Sequence, residues 1–106
     1  MERDGNKPLL GQTVLITGAA RRLGRVMALA VASAGGNVVI HYNQSKKEAE
    51  DLQNLIQELG SISWLVAADL SDFNGIQQLN DEAFSLTPIN VLINNASIFQ
   101  NFSFPD

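Results

Sequence analysis

Tyr42 stands four residues before Lys46 in the run Tyr-Asn-Gln-Ser-Lys. On one face of a helix that spacing sets an ammonium beside a phenol, the arrangement a proton-transferring tyrosine needs. Two clusters of cations offer a different chemistry. Of the seven Lys and Arg residues, Arg21, Arg22 and Arg25 fall in one short stretch, and Lys46 and Lys47 in another. The net charge of the whole chain is -4, so a nucleic-acid backbone, which wants a broad basic face, is not the expected partner. An acidic chain that gathers its cations in two places is suited to a small anion. Metal chemistry is not expected, because the chain has no cysteine and a single histidine, His41.

What these residues can do depends on the elements that hold them. The chain has 106 residues, 45% hydrophobic and 17% charged, an ordinary composition for one soluble domain or part of one. No apolar run approaches the roughly 18 residues of a membrane span. The opening Met-Glu-Arg-Asp-Gly-Asn-Lys-Pro has mixed charge and no apolar region behind it. A cytoplasmic protein with no membrane partner is the expectation.

Residues 13–17 form a β-branched apolar run ending in Gly18, the pattern of a strand buried on both faces. Leu23, Val26, Met27, Ala30, Val31 and Ala34 then recur at helical spacing, and Gly35-Gly36 ends the helix. Residues 37–41 make a second buried strand. Ser45 and Glu48 have the spacing of a capping box, ahead of a stripe of Ala49, Leu52, Leu55, Ile56 and Leu59. Residues 62–69 form a third strand. Ser71 or Asp72 caps a helix whose face holds Ile76, Leu79, Ala83 and Leu86, and residues 89–94 make a fourth strand.

The order βαβαβαβ with short connections predicts an α/β fold with a parallel sheet and right-handed crossovers. The expected form is a Rossmann-type doubly wound sheet of order 3-2-1-4, with the first two helices on one face and the third on the other. That leaves strands one and four thinly covered on the second face and strand four as an apolar edge. Residues 1–106 therefore read as the N-terminal part of a single, incomplete domain, marginally stable alone.

The turn after strand one, Thr-Gly-Ala-Ala-Arg-Arg-Leu-Gly (17–24), lacks the G-x-G-x-x-G fingerprint. Gly18 permits a sharp turn, Gly24 lets backbone or ligand approach, and the helix N-terminus behind them offers N–H groups to a phosphate. Taken alone, the segment serves equally as a connector whose glycines only pack. With Ala-Asp-Leu (68–70) and Asn-Asn-Ala-Ser (94–97), each ending a strand where open α/β sheets bind ligands, it resembles the short-chain dehydrogenase/reductase family from about Leu10 onward. The family's usual turn has a middle glycine where this chain has Arg22. That arginine, His-Tyr-Asn-Gln-Ser (41–45) and Asn-Asn-Ala-Ser-Ile-Phe (94–99) are similar to its pteridine-reductase branch. The resemblance implies that Ser97 binds cofactor or substrate and that Phe99 stacks on a flat heterocycle; the bland alternative is a loop serine and a ring filling a hole. The branch's His-Arg-Ser after strand two is Asn43-Gln44-Ser45 here.

NAD recognition wants an acid at the end of strand two, and none occurs between His41 and Glu48, so the site is open to a 2′-phosphate. Lys46 and Lys47 begin a helix, where the macrodipole disfavours cations by about a few tenths of a kcal/mol each. Either they are solvated surface charges or they prepare an anion site with the Ser45 hydroxyl. The expected cofactor is NADP(H). Its expected contacts are Gly18, Arg21, Arg22, Leu23 and Gly24 on the first turn, and Tyr42, Asn43, Gln44, Ser45 and Lys46 after strand two. Asp69 and Leu70 would flank the adenine, with Asn94, Asn95 and Ala96 near the nicotinamide ribose.

In the family the catalytic serine, tyrosine and lysine follow strand four, so no catalytic residue is assigned within 1–106. Tyr42 ends a strand and Lys46 opens the next helix, which assigns the pair to the 2′-phosphate pocket and not to proton transfer. The resemblance implies NADPH-dependent reduction of a small carbonyl, imine or enone, with pterin rings the substrates of the branch. Family members are usually homo-oligomers, through helices not expected here. A 3-oxoacyl-type reductase remains open, as does a non-catalytic nucleotide-binding module or truncated product. A methyltransferase would want an acid ending strand two.

Overall fold

Val14 and Ile16 face one side of β1 (Thr13–Ile16) and Leu15 the other, and both sides are buried, which is why the strand is apolar without a break. The computed structural model describes residues 7–96. After β1 come α1 (Arg22–Ser33), β2 (Asn37–Tyr42), α2 (Lys46–Glu58), β3 (Ser63–Ala67), α3 (Phe73–Leu86) and β4 (Val91–Ile93). The sheet has the order β3-β2-β1-β4, and every pairing is parallel, as the sequence predicts.

Two cores flank the sheet. On one face Val14, Ile16, Val38 and Ile40 meet Ala28, Val31 and Ala32 of α1 and Ala49, Leu52 and Ile56 of α2. On the other, Leu15, Val39 and Val66 meet Leu79 and Ala83 of α3, with Ala68 and Leu70 completing the cluster. Leu92 of β4 pairs with Leu15 in register and so belongs to the second face, yet it is 61% exposed. Among the described residues no helix is long and apolar enough to cross a membrane.

The buried face of α1 differs from the expected stripe. Leu23 and Val26 are each 62% exposed and Ala30 is exposed, while Gly24, Ala28, Val31 and Ala32 are buried with Met27 and Leu29 beside them. Small residues let α1 lie close against the sheet, so its contact line runs through them and not through its largest apolar side chains. On α3, Ile76 and Leu86 are likewise exposed, and only Leu79 and Ala83 of the expected stripe are buried.

The helix starts also differ from one another. The Asp72 carboxylate accepts from the Gly75 N–H at 2.9 Å and caps α3, settling the choice between Ser71 and Asp72. The Ser45–Glu48 capping box does not form. Ser45 has φ −84° and ψ 58°, outside the extended conformation a capping serine adopts, and its side chain makes no cap bond. The Lys46 N–H turns back to the Gln44 carbonyl at 2.9 Å instead.

Candidate functional site

The loops after all four strands converge at the carboxyl edge of the sheet around a cavity of about 620 Å³. Gly18, Arg21, Arg22 and Leu23 line it from the turn after β1; Tyr42, Asn43, Gln44 and Ser45 line it from the end of β2. Asp69 and Leu70 close a third side, Asn95 and Ala96 a fourth. Three expected residues do not reach the cavity wall: Gly24 is buried behind the turn, Asn94 is engaged by the Thr17 hydroxyl, and Lys46 is exposed on the first turn of α2, as is Lys47. Ser97 and Phe99 lie outside the described residues.

Thr17 ties the two central strand ends together. Its hydroxyl donates to Asn94 Oδ1 at 3.0 Å and accepts from the N–H groups of Asn95 and Ala96 at 2.8 and 2.9 Å. Asn95 Nδ2 donates in turn to the Gly18 carbonyl at 3.1 Å. Gly24 fits beneath this junction only because it has no side chain. A Cβ there would fall on the Gly18 carbonyl oxygen and lie 2.6 Å from Asn95 Nδ2. Of the two roles open to Gly24 in the sequence, close approach of backbone is the one its surroundings require.

Arg22 is the one non-glycine residue with positive φ (54°) among the described residues, and it sits where the family's turn has a glycine. A left-handed conformation costs a non-glycine residue about 1–2 kcal/mol. It opens α1, whose N-cap Arg21 makes no side-chain cap bond and whose first turn holds no acid. The first-turn N–H groups have no intrahelical partner, and with two guanidinium groups beside them this helix end presents donors and positive charge to the cavity.

At the second helix start Ser45, whose side chain makes no cap bond to α2, lines the cavity, with Asn43 and Gln44 exposed beside it. Among the described residues Asp69 is the one acid on the cavity wall. Its carboxylate accepts from the backbone N–H of Ser71 at 2.9 Å and from the Ser71 hydroxyl, and these bonds hold its pKa below the usual carboxylate value.

Four residues of the site escaped the sequence reading: Ala20 and Ser71, which line the cavity, and Thr17 and His41, which hold its wall. Thr17 belonged to the quoted turn, but its partners lie 77 to 79 positions away, and no local pattern shows them. His41 enters the sequence reading as an isolated metal-ligand type and as the first residue of the His-Tyr-Asn-Gln-Ser motif, with no role of its own in the site. It is 2% exposed, on the wall between β1 and β3: Nδ1 accepts from the Gly18 N–H at 2.9 Å and Nε2 lies 2.8 Å from the Ala68 carbonyl. Burial pushes its pKa below the usual 6.5, against the opposing Ala68 bond. The signal in the sequence was a lone polar residue closing an apolar strand.

A turn of this kind, at this edge of a 3-2-1-4 sheet, agrees with what comparison with known proteins finds. The short chain dehydrogenase family matches residues 12–106. The chain belongs to that family. Among its curated relatives, the 3-oxoacyl-[acyl-carrier-protein] reductase FabG of Staphylococcus aureus is 35% identical over 88 residues, covering 82% of this chain and 36% of that protein. The crystal structure of a 3-oxoacyl (acyl-carrier-protein) reductase from Agrobacterium tumefaciens with NADP bound superposes with a TM-score of 0.80 at 30% identity, over 92% of this chain and 37% of the other. FolM alternative dihydrofolate reductase 1 from Brucella canis, complexed with NADP, is 40% identical with a TM-score of 0.71, over 85% and 36% of the two chains. The chain thus spans about a third of the length of each of these dehydrogenase relatives.

Proposed function

We propose that this chain forms the adenosine and diphosphate part of an NADP(H) site in a reductase that acts on a pterin-type ring. The cofactor half rests on one observation above all. The end of β2 brings Asn43, Gln44 and Ser45, whose hydroxyl makes no cap bond, to a cavity shared with Arg21 and Arg22, and the 42–45 segment holds no carboxylate, the cavity's Asp69 coming from the loop after β3. A ribose 2′-phosphate suits those donors, whereas a free 2′-hydroxyl would want an acid there. The NADP carried by the Agrobacterium and Brucella enzymes points the same way.

When bound, NADPH supplies a hydride to a polarised double bond. This chain's residues bind and orient it. Arg21, Arg22 and the N–H groups opening α1 would hold phosphate, and Lys46 would add positive potential from outside the wall. Asp69 and Leu70 would frame the adenine, Tyr42 would border the adenosine side, and Asn95 and Ala96 would face the nicotinamide ribose. By family resemblance Ser97 would bind cofactor or substrate, and Phe99 would stack on the ring to be reduced. No catalytic residue is assigned to residues 1–106.

The pterin half rests on Arg22 in the glycine position and on the 40% identity to a dihydrofolate reductase. A 3-oxoacyl reductase is the second reading, favoured by the FabG match and the higher TM-score of the Agrobacterium enzyme. Calorimetric titration of the chain, folded by circular dichroism, should give NADPH an affinity about tenfold or more above NADH. Equal affinities would overturn the cofactor assignment. Saturation-transfer NMR of the NADP-loaded chain should then detect dihydrobiopterin and lose it in Phe99→Ala. A response to an acetoacetyl thioester alone would transfer the assignment to the second reading.

A further inference from the structure

His41 has no part in binding phosphate, yet its ring joins the two loops that flank the cavity. A backbone N–H can only donate, so the nitrogen facing Gly18, Nδ1, must be unprotonated; a carbonyl can only accept, so the nitrogen facing Ala68, Nε2, must carry the proton. One neutral tautomer satisfies both bonds. The main chain adds a third tie, because the Ala19 N–H donates to the His41 carbonyl at 2.9 Å. We propose that His41 is a positioning residue for the cofactor turn, holding Gly18 and Ala19 in their binding geometry through its Nε2-protonated neutral ring, and that gain of a proton releases the turn and weakens cofactor binding. The cofactor part of this inference rests on the NADP(H) reading above.

The surroundings favour the neutral ring. Arg21 and Arg22 on the turn after β1 share its cavity and oppose a third positive charge. Tyr42 follows it on β2. The nearest acids on the β3 and α3 sides are engaged in their own loops, Asp69 with Ser71 and Asp72 with Gly75. Lys46 at the start of α2 is exposed outside the cavity, and β4 carries no titratable side chain. A proton on Nδ1 would set two donors against each other, leave that proton without an acceptor and bury a positive charge whose one remaining bond is to the Ala68 carbonyl. Burial lowers the ring's pKa in the folded chain, so the ordered turn is fully present above the unfolded value of 6.5 and is lost as pH falls through the folded value.

Because the chain has one histidine, its ring signals in long-range 1H–15N spectra are unambiguous. At pH 7.5 they should show Nε2 protonated and Nδ1 bare, and the Gly18 amide should shift on acidification together with the ring. The other tautomer, a ring titrating at 6.5, or an indifferent Gly18 amide would overturn the proposal without any reference to cofactor. His41→Asn keeps an acceptor near Gly18 but cannot titrate. It should weaken NADPH a few-fold at pH 7.5 and remove the further loss that the wild type shows as pH falls through the titration of the ring, followed in the same spectra. The titrating 2′-phosphate is common to both proteins, so only the difference between their profiles counts. His41→Leu, lacking both bonds, should weaken NADPH about tenfold or more at pH 7.5. An unchanged pH profile in His41→Asn would contradict the proposal. Absence of NADPH binding by the wild-type chain at every pH would fail the NADP(H) reading and the cofactor-binding part of this one, leaving the spectra to decide the clamp.

Discussion

On the face covered by α1 and α2, Ile16, Ile40, Leu52 and Ile56 are all 0% exposed; on the face covered by α3 alone, Leu15 is buried while its register neighbour Leu92 stands 61% exposed. The first face is closed over the centre of the sheet, whereas the second, buried beneath α3, opens where β4 lies beside β1. The difference bears on function because α1 and α2, whose N-terminal ends bring Arg21, Arg22 and Ser45 to the cavity, belong to the closed face. Donors for a phosphate are aimed by the best-packed part of the molecule. The open face contributes the Asp69–Leu70 loop, which carries no cation.

The largest test of this asymmetry is Leu52→Ala, which empties space in the closed core and should lower stability by about 2–5 kcal/mol in urea unfolding. A loss under about 1 kcal/mol would mean that the face is less tightly packed than described. Gly24→Ala comes next. Its Cβ must displace the Gly18 carbonyl or Asn95, so overpacking should cost about 1–3 kcal/mol and also weaken NADPH, measured by denaturation and calorimetry on one preparation. An alanine tolerated on both counts would show that the turn is not held by that contact.

Arg22→Gly should move the two properties in opposite directions. Relief of the left-handed φ should raise stability by up to about 1 kcal/mol, and loss of the guanidinium should weaken NADPH several-fold. Destabilisation would contradict the reading of a strained residue kept for its charge. At the bottom of the scale, Leu92→Ser on the open face should change stability by less than about 0.5 kcal/mol. A large loss there would erase the contrast between the faces.

The strands were legible because each is a short apolar run between helical repeats; βα alternation gave a parallel sheet, and the order 3-2-1-4 came from the Rossmann-type doubly wound form it matches. Most residues of the cavity wall were legible too, because Arg21, Arg22 and the 42–45 segment sit at strand ends. The misread parts depend on distance through space. Leu23 and Val26 fit a helical stripe, but α1 packs through Gly24 and Ala28, a choice made by the sheet beneath it. The Ser45–Glu48 spacing fits a capping box, but the chain leaving β2 enters α2 with Ser45 out of the extended conformation. Thr17 and His41 act through partners 23 to 79 positions away, where sequence periodicity carries no information.

The central claim is that the end of β2 and the starts of α1 and α2 together read a 2′-phosphate. Calorimetric titration of the folded chain with adenosine 2′,5′-bisphosphate and with adenosine 5′-phosphate tests it most directly, since the two ligands differ by that group alone. Binding of the bisphosphate about tenfold or more tighter than the monophosphate, with the difference shrinking in Ser45→Ala and as salt rises, is the predicted result. Equal affinities, or a preference for the monophosphate, would contradict the account.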